Sequence, residues 1–180
     1  MDWEKCSDER LVASYLSGNK AAFSIIVLRY QSLLYGYLYR FVYDRHLAED
    51  LVQETFVKVL ISLRRFDDRF RFRSWLFKIA TNLALNKARR RKKYRYGVDV
   101  REMSDMKTPL CSAVEKEEIH RIEQAIYKLS AKHRMVFLLR VQQQFSYKEI
   151  SSVIKCNEQT ARSRMFYAVE KLREFLEDRS

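Results

Sequence analysis

The chain has 180 residues, 47% of them apolar, and its 35 Lys and Arg outnumber 23 Asp and Glu for a formal net charge of +12. That length allows one or two small domains, and the apolar share argues against a disordered chain. Its 3 Gly and 1 Pro are too few for the tight turns of an all-β fold. Cys6, Cys111 and Cys156 are scattered and no Cys-x-x-Cys or His-x-x-x-His spacing occurs, so reduced thiols are expected, with no metal and no cofactor. Met1-Asp2-Trp3-Glu4-Lys5 lacks a basic start and an apolar run, and no apolar stretch of about 20 residues follows. A cytoplasmic protein without membrane insertion is expected, and its positive excess favours a polyanionic partner.

Ser7 can cap a first helix reaching about Ser17, closed by Gly18-Asn19. Phe23, Ile26, Val27, Tyr30, Leu34, Leu38 and Phe41 recur at threes and fours, which predicts a helix over 20–42, with Gly36 admitting a close neighbour. A turn at 43–46 precedes a third helix over 47–63. An arginine-rich loop, 64–71, leads into a fourth over 72–92. The period then fails across 97–112, a polar stretch containing Pro109 that reads as a flexible linker. Helices resume over 113–129, with Val114, Ile119, Ile122 and Ile126 as the apolar side, and over 131–141. Two more, 146–154 and 158–176, flank Lys155-Cys156-Asn157. The fold class is all-α: two small helical domains, 1–96 and 113–180, joined by the linker 97–112, the second domain a helix-turn-helix.

In the third helix Val52, Phe56, Val59, Leu60 and Leu63 share the side expected to be buried. Asp50, Glu54, Val57, Lys58 and Ile61 share the opposite side. Acids mixed with apolar side chains suit a docking surface for a basic partner protein, or contact with a neighbouring helix; the pattern leaves both open.

The stretch 69–98 runs thirty residues without Asp or Glu and holds eleven Lys and Arg, with Phe70, Phe72, Trp75, Phe77, Tyr94 and Tyr96 among them. Cations neutralise phosphates, and flat rings stack on unpaired bases. Phe72, Leu76, Ala80 and Leu83 make a core stripe; Trp75, Lys78, Asn82, Asn86 and Arg89 line an adjoining face. Asn amides suit base edges and the cations suit phosphates. Phe70 and Arg71, in the loop before the helix, can receive an extruded base.

The last helix buries Ala161, Met165, Ala168, Val169, Leu172, Phe175 and Leu176 on one side, while Ile150 and Ile154 of the preceding helix join that core. Gln159, Arg162, Ser163 and Phe166 lie opposite, in the N-terminal turns where a major-groove helix carries its base contacts. Arg164 flanks them, where a phosphate is the natural target. His46, His120 and His133 form no nucleophile or metal pattern, so no enzyme is expected and no small-molecule substrate. A stand-alone DNA-binding regulator and an RNA-binding module are both compatible with these residues taken alone.

Asp50-Leu-Val-Gln-Glu-Thr-Phe56 and Phe72-Arg-Ser-Trp-Leu-Phe-Lys-Ile-Ala-Thr-Asn-Leu-Ala-Leu-Asn86 resemble the second conserved region of extracytoplasmic-function (ECF) sigma factors. Phe145-Ser-Tyr-Lys-Glu-Ile150 through Thr160-Ala-Arg-Ser-Arg164 resembles their fourth region. The resemblance implies a bacterial transcription initiation factor that directs core RNA polymerase to promoters and helps open the duplex. It assigns the polymerase clamp contact to Asp50, Gln53, Glu54, Phe56, Val57 and Lys58. It assigns the −10 element to Phe70, Arg71, Arg73, Trp75, Lys78, Asn82, Asn86, Lys87, Arg89 and Arg90, with a flipped base in the 64–73 loop. It assigns the −35 element to Tyr147, Gln159, Thr160, Arg162, Ser163, Arg164 and Phe166. It also implies contact with the polymerase flap, a linker threaded towards the polymerase active centre, and an anti-sigma factor as partner. The chain departs from the family at Ser130, where Pro is usual, and at Ala161, where Val is common; against helix-turn-helix motifs in general, Ser151 stands in place of Ala and Lys155-Cys156 in place of the turn Gly.

Overall fold

A computed structural model describes residues 6–69, 71–94 and 113–177, and every regular element among them is helical. The helices are α1 (Asp8–Leu16), α2 (Lys20–Val42), α3 (Arg45–Ser62), α4 (Phe72–Tyr94), α5 (Ala113–Lys128), α6 (Ala131–Phe137), α7 (Tyr147–Ile154) and α8 (Glu158–Glu177). A 3-10 turn, Leu63–Arg65, follows α3, and a π-helical segment, Leu138–Gln142, prolongs α6. The linker expected at 97–112 lies outside the described residues, as do Phe70 and Cys111. Among the described residues no helix is long and apolar enough to cross a membrane.

Short polar side chains start the helices, because each accepts a backbone N–H that the first turn leaves unpaired. Ser7, Asn19, Asp44 and Ser130 do so for α1, α2, α3 and α6. Asp44 sets the start of α3 at Arg45, two residues before the apolar pattern begins. Ser146 and Glu149 form a reciprocal capping box at α7. Gly18 ends α1 at φ +104°, a conformation that suits glycine. Lys155 ends α7 in the same left-handed region, φ 53°, without that freedom.

Helices α1 to α4 enclose the first core around Leu11, Ile26, Leu34, Leu38, Leu51, Phe72 and Leu76. Tyr37 is buried edge-on to Phe77, ring centroids 5.4 Å apart, and its hydroxyl meets that of Thr81 at 2.9 Å. Burial raises the Tyr37 hydroxyl pKa. Asp8 accepts from Tyr30 and pairs with Arg29, tying α1 to α2. Phe77, Thr81 and Ala84 form a second buried row on α4 that the single-stripe reading missed, because α7 covers α4 from another side.

Three expected stripes are corrected. Ile119 and Ile122 of α5 are exposed, while Glu123, Ala125, Ile126 and Leu129 turn inward. Arg40 of α2, with Nε 3.6 Å from Glu123 Oε1, faces the side that goes in. Leu60 is exposed on α3. On α8 the fully covered stripe narrows to Ala161, Ala168 and Leu172, leaving Val169 exposed, since α6 and α7 cover less of the helix than a wide apolar face assumes. The helix expected over 131–141 divides into α6 and the wider π-helical turns.

The second unit packs on the first through α5, the π-helical segment and α7 against α2 and α4. Phe145, 2% exposed, lies edge-on to Phe77 with centroids 5.4 Å apart. The Arg73 guanidinium sits 4.9 Å over the Phe145 ring, and its Nη2 donates to the Gln143 carbonyl at 2.9 Å. Arg134 donates to the carbonyls of Phe41, Tyr127 and Leu129, and burial lowers its pKa to about 10. Gly36 has a purpose here: a Cβ at that position would stand 3.0 Å from Gln142 Nε2. Yet Arg73 Nε, Glu123 Oε1, Arg134 Nε, Gln142 Oε1 and Gln143 Nε2 are buried without a hydrogen-bonding partner among the described residues. Burial accordingly raises the Glu123 pKa. This join is therefore more polar than the apolar cores on either side of it.

Candidate nucleic-acid interface

Three helical faces carry the residues singled out in the sequence. On α3, Asp50, Gln53, Glu54, Val57, Lys58 and Ile61 are all exposed, with Val57 at 55% and Ile61 at 77%. No described helix covers this face, which removes the neighbouring-helix alternative. Phe56 is a correction: it is buried edge-on to Phe23, centroids 6.3 Å apart, and belongs to the core rather than to a docking surface. Its place in the motif reflects packing, since position 56 points to the side of α3 opposite Glu54 and Lys58.

The second face runs along α4. Asn82, Asn86, Arg89 and Arg90 are exposed in line, and Lys78 and Lys87 are half-buried beside them. Trp75 is half-buried in an aromatic cluster, 5.2 Å from Phe66 and 5.8 Å from Phe72 between centroids. That cluster floors the loop before α4. Within the loop, Asp67 accepts from the Arg69 backbone N–H at 3.1 Å and from its guanidinium, which holds the Asp67 carboxyl below the usual range. Phe70 lies outside the described residues. Arg71 projects into solvent, its side chain 82% exposed with Nη1 3.4 Å from Glu149 Oε1, whereas Arg73 is engaged by Gln143 and Phe145. Of the residues expected to meet DNA here, Arg73 is thus covered by the segment that leads into α7.

The third face is α8. Asn157 caps it, accepting the Thr160 N–H at 2.6 Å. Gln159, Arg162, Ser163 and Phe166 are exposed and Thr160 and Arg164 half-buried, with Phe166 at 63%. Arg162 lies over the Tyr147 ring, 4.5 Å from its centroid, and 3.9 Å from Glu158 Oε2. Tyr147, the first residue of α7, also has Arg140 over its ring at 5.1 Å. Glu149 is the shared support of this corner. Burial pushes its pKa up, but the Ser146 hydroxyl and amide, then Arg71 and Arg73, hold it below the usual range.

Two residues escaped the sequence reading. Tyr167 is 57% exposed beside Phe166 and stacks on His133 at 6.2 Å; its position four after Ser163 carries it to the same face and was a usable signal. Arg140 lies in the π-helical segment, where a 3.6-residue period misplaces side chains, so no periodic signal marked it. Among the described residues no three His, Cys, Asp or Glu stand where they could hold a metal.

An uncovered acidic and apolar helix, a cationic helix with aligned amides, and a capped helix-turn-helix together define a DNA-directed protein that also docks on another protein. Residues 26–94 match the Sigma-70 region 2 family and residues 119–172 match the Sigma-70 region 4 family. The chain is 32% identical over 176 residues to RNA polymerase sigma-H factor of Pseudomonas aeruginosa, covering 92% of this chain and 91% of that protein. It is 31% identical over 172 residues to ECF RNA polymerase sigma factor SigW of Bacillus subtilis, covering 89% and 92%. Its fold is similar to CnrH in the complex with the cytosolic domain of CnrY, with TM-score 0.74, 28% identity and coverage of 96% of this chain and 99% of that one. The sigma factor RpoE of Bartonella quintana, in complex with the anti-sigma factor NepR, aligns with TM-score 0.75 and 25% identity over 86% of this chain and 96% of that one. The chain belongs to the sigma-70 family of RNA polymerase sigma factors, in its ECF branch.

Proposed function

We propose that this protein recruits core RNA polymerase in the cytoplasm to promoters whose −35 element is read by α8 and whose −10 strand is captured by α4 and the loop before it. The domains divide the work as 1–96 for the clamp and −10 element, 97–112 as the connecting segment, and 113–180 for the −35 element and the flap. The observation that carries this reading is the uncovered face of α3, where Asp50, Glu54 and Lys58 surround Val57 and Ile61. Apolar side chains this open are costly unless a partner covers them, and a ring of charge selects that partner.

Phosphate contacts from Lys78, Lys87, Arg89 and Arg90 supply affinity and register; Asn82 and Asn86 supply base choice. Gln159, Thr160, Arg162, Ser163 and Phe166 read the duplex upstream, with Arg164 on the backbone. An extruded base costs a few kcal/mol to unstack, which rings such as Trp75 and Phe70 offset by stacking. Catalysis belongs to the polymerase, so the chain needs no nucleophile of its own. DNA capture by Arg73 requires its seat on Gln143 and Phe145 to open, which makes the closed arrangement a resting state. The same open surfaces offer an anti-sigma factor a place to bind, and the similar RpoE of Bartonella quintana is found in complex with one, NepR.

The test combines the full chain with core polymerase and a promoter library and sequences the transcript starts. New, sequence-specific starts are expected only when both proteins are present. Asp50→Lys with Glu54→Lys is expected to reduce co-purification with polymerase at least tenfold while the helical circular dichroism is unchanged. Tight binding to a palindrome by the protein alone, with no new starts, would replace this reading with that of a stand-alone regulator.

A further inference from the structure

We infer that Tyr147 is a positioning residue for −35 recognition: its ring is the platform that holds the Arg162 guanidinium in the orientation that reads a base. The inference deepens the α8 reading proposed above and rests on it. Arg162 is the exposed cation in the base-facing row of α8, and a long, free side chain in that place would lose much of its rotamer freedom on binding. Here it is already constrained. Its Cζ lies 4.5 Å from the Tyr147 centroid, within the range where a ring face attracts a guanidinium. Its other charged neighbour, Glu158 Oε2, is 3.9 Å away, too far for a hydrogen bond.

The platform is itself built in. Tyr147 opens α7, whose start is fixed by the Ser146–Glu149 capping box. Its ring is half-buried and meets a second guanidinium, that of Arg140, at 5.1 Å. Arg140 Nη1 is anchored in turn on the Phe145 carbonyl at 2.9 Å. Phe145 is seated against Phe77. A chain of contacts therefore runs from the buried core through Phe145, Arg140 and Tyr147 to the reading residue. A planar guanidinium stacked on a ring keeps its edge N–H groups free for a bidentate contact with guanine, which an ammonium on a flexible stem cannot imitate. The element that contributes Tyr147 is the first helix of the motif, so the two helices share one recognition unit rather than acting as support and reader.

The experiment measures transcription by the full chain with core polymerase from a library randomised over the −35 element, for wild type, Arg162→Ala, Tyr147→Leu, Tyr147→Phe and the Arg162→Ala/Tyr147→Leu double variant. Arg162→Ala is expected to erase preference at one position. Tyr147→Leu should weaken preference at that same position about two- to fivefold, the worth of an exposed cation–π contact. Tyr147→Phe should retain it, and the double variant should match Arg162→Ala alone. A loss in Tyr147→Phe marks the hydroxyl, not the ring, as the working part and overturns the proposal. So does a uniform loss across all sequences in Tyr147→Leu, or additive effects in the double variant. A flat Arg162→Ala profile overturns the base-reading role of α8 at that residue and the proposal with it, whereas a shifted Arg162→Ala profile beside an unshifted Tyr147→Leu profile overturns the proposal alone. Should Tyr147→Leu fail to fold, Tyr147→Trp takes its place: retained preference is expected, and its loss counts against the platform.

Discussion

The two helices assigned to DNA, α4 and α8, meet solvent differently. The reading face of α8 is open from Gln159 to Tyr167, its cation already held on Tyr147. At the start of α4, Arg73 is committed to Gln143 and Phe145, while Arg71 just before it and the later turns with Asn82 and Asn86 are open. Duplex binding requires only a preformed surface. Capturing a melted strand is a later event, and a cover that must be displaced delays it. The difference lies in the join between the two units, where Arg73 and Arg134 donate to carbonyls across it and Phe145 is seated on Phe77.

The most severe way to break this contrast is Phe145→Ala, which empties the joint between Phe77 and Arg73. It should cost about 3–5 kcal/mol in urea unfolding, as large aromatic truncations do. The folded fraction should bind single-stranded −10 oligonucleotides more tightly, and unchanged affinity would mean that α7 does not restrain α4. Asn82→Ala and Asn86→Ala test the bare part of α4; each should alter −10 preference by about 1–3 kcal/mol at one base in the promoter-library assay, with little change in overall affinity. Identical promoter selection by both variants removes them from base reading.

Glu149→Gln probes the corner where the regions meet. Gln can still close the capping box, so the variant loses the charge on the Ser146 hydrogen bonds and the ion pair with Arg71, at about 1 kcal/mol. Because the folded Glu149 pKa is depressed, its stabilisation is fully present above the ordinary value of 4.5 and fades as pH falls through the folded value. Wild type and variant should therefore converge in acid melts and separate at neutral pH. The smallest effect belongs to Lys155→Gly. It relieves a left-handed backbone at the turn of the helix-turn-helix, φ 53°, and should gain about 0.5–1 kcal/mol in thermal unfolding without changing −35 preference.

Helix positions were largely legible because caps and apolar spacing act locally: α2 falls at Lys20–Val42 as the stripe from Phe23 to Phe41 requires. What failed depended on neighbours. Ile119 and Ile122 have the right spacing for a core, but Glu123 and Arg40 set the inward side of α5. Phe56 sits in a motif that mixes packing with docking, and only its contact with Phe23 separates the two. The face of α3 could be drawn from the sequence, yet whether it was covered could not. The seating of Arg73 on Phe145 joins residues 72 apart in sequence, and no periodicity reports such a pair.

The π-helical segment Leu138–Gln142 gives the molecule an unusual dependence on chain length. Its wide turn, in which Gln143 N–H bonds the Leu138 carbonyl five residues back, accommodates one residue more than an α-helical path needs, and the Phe145 N–H closes the end on the Leu139 carbonyl. Removing a single residue there would restore ordinary winding and keep everything downstream close to its present phase, whereas adding one more would turn it by about 100° relative to α6. Gln142 would swing away from the notch at Gly36, and Phe145 from Phe77. An insertion one codon long thus opens the molecule while leaving every DNA-facing side chain unchanged, and a deletion of the same length leaves it shut.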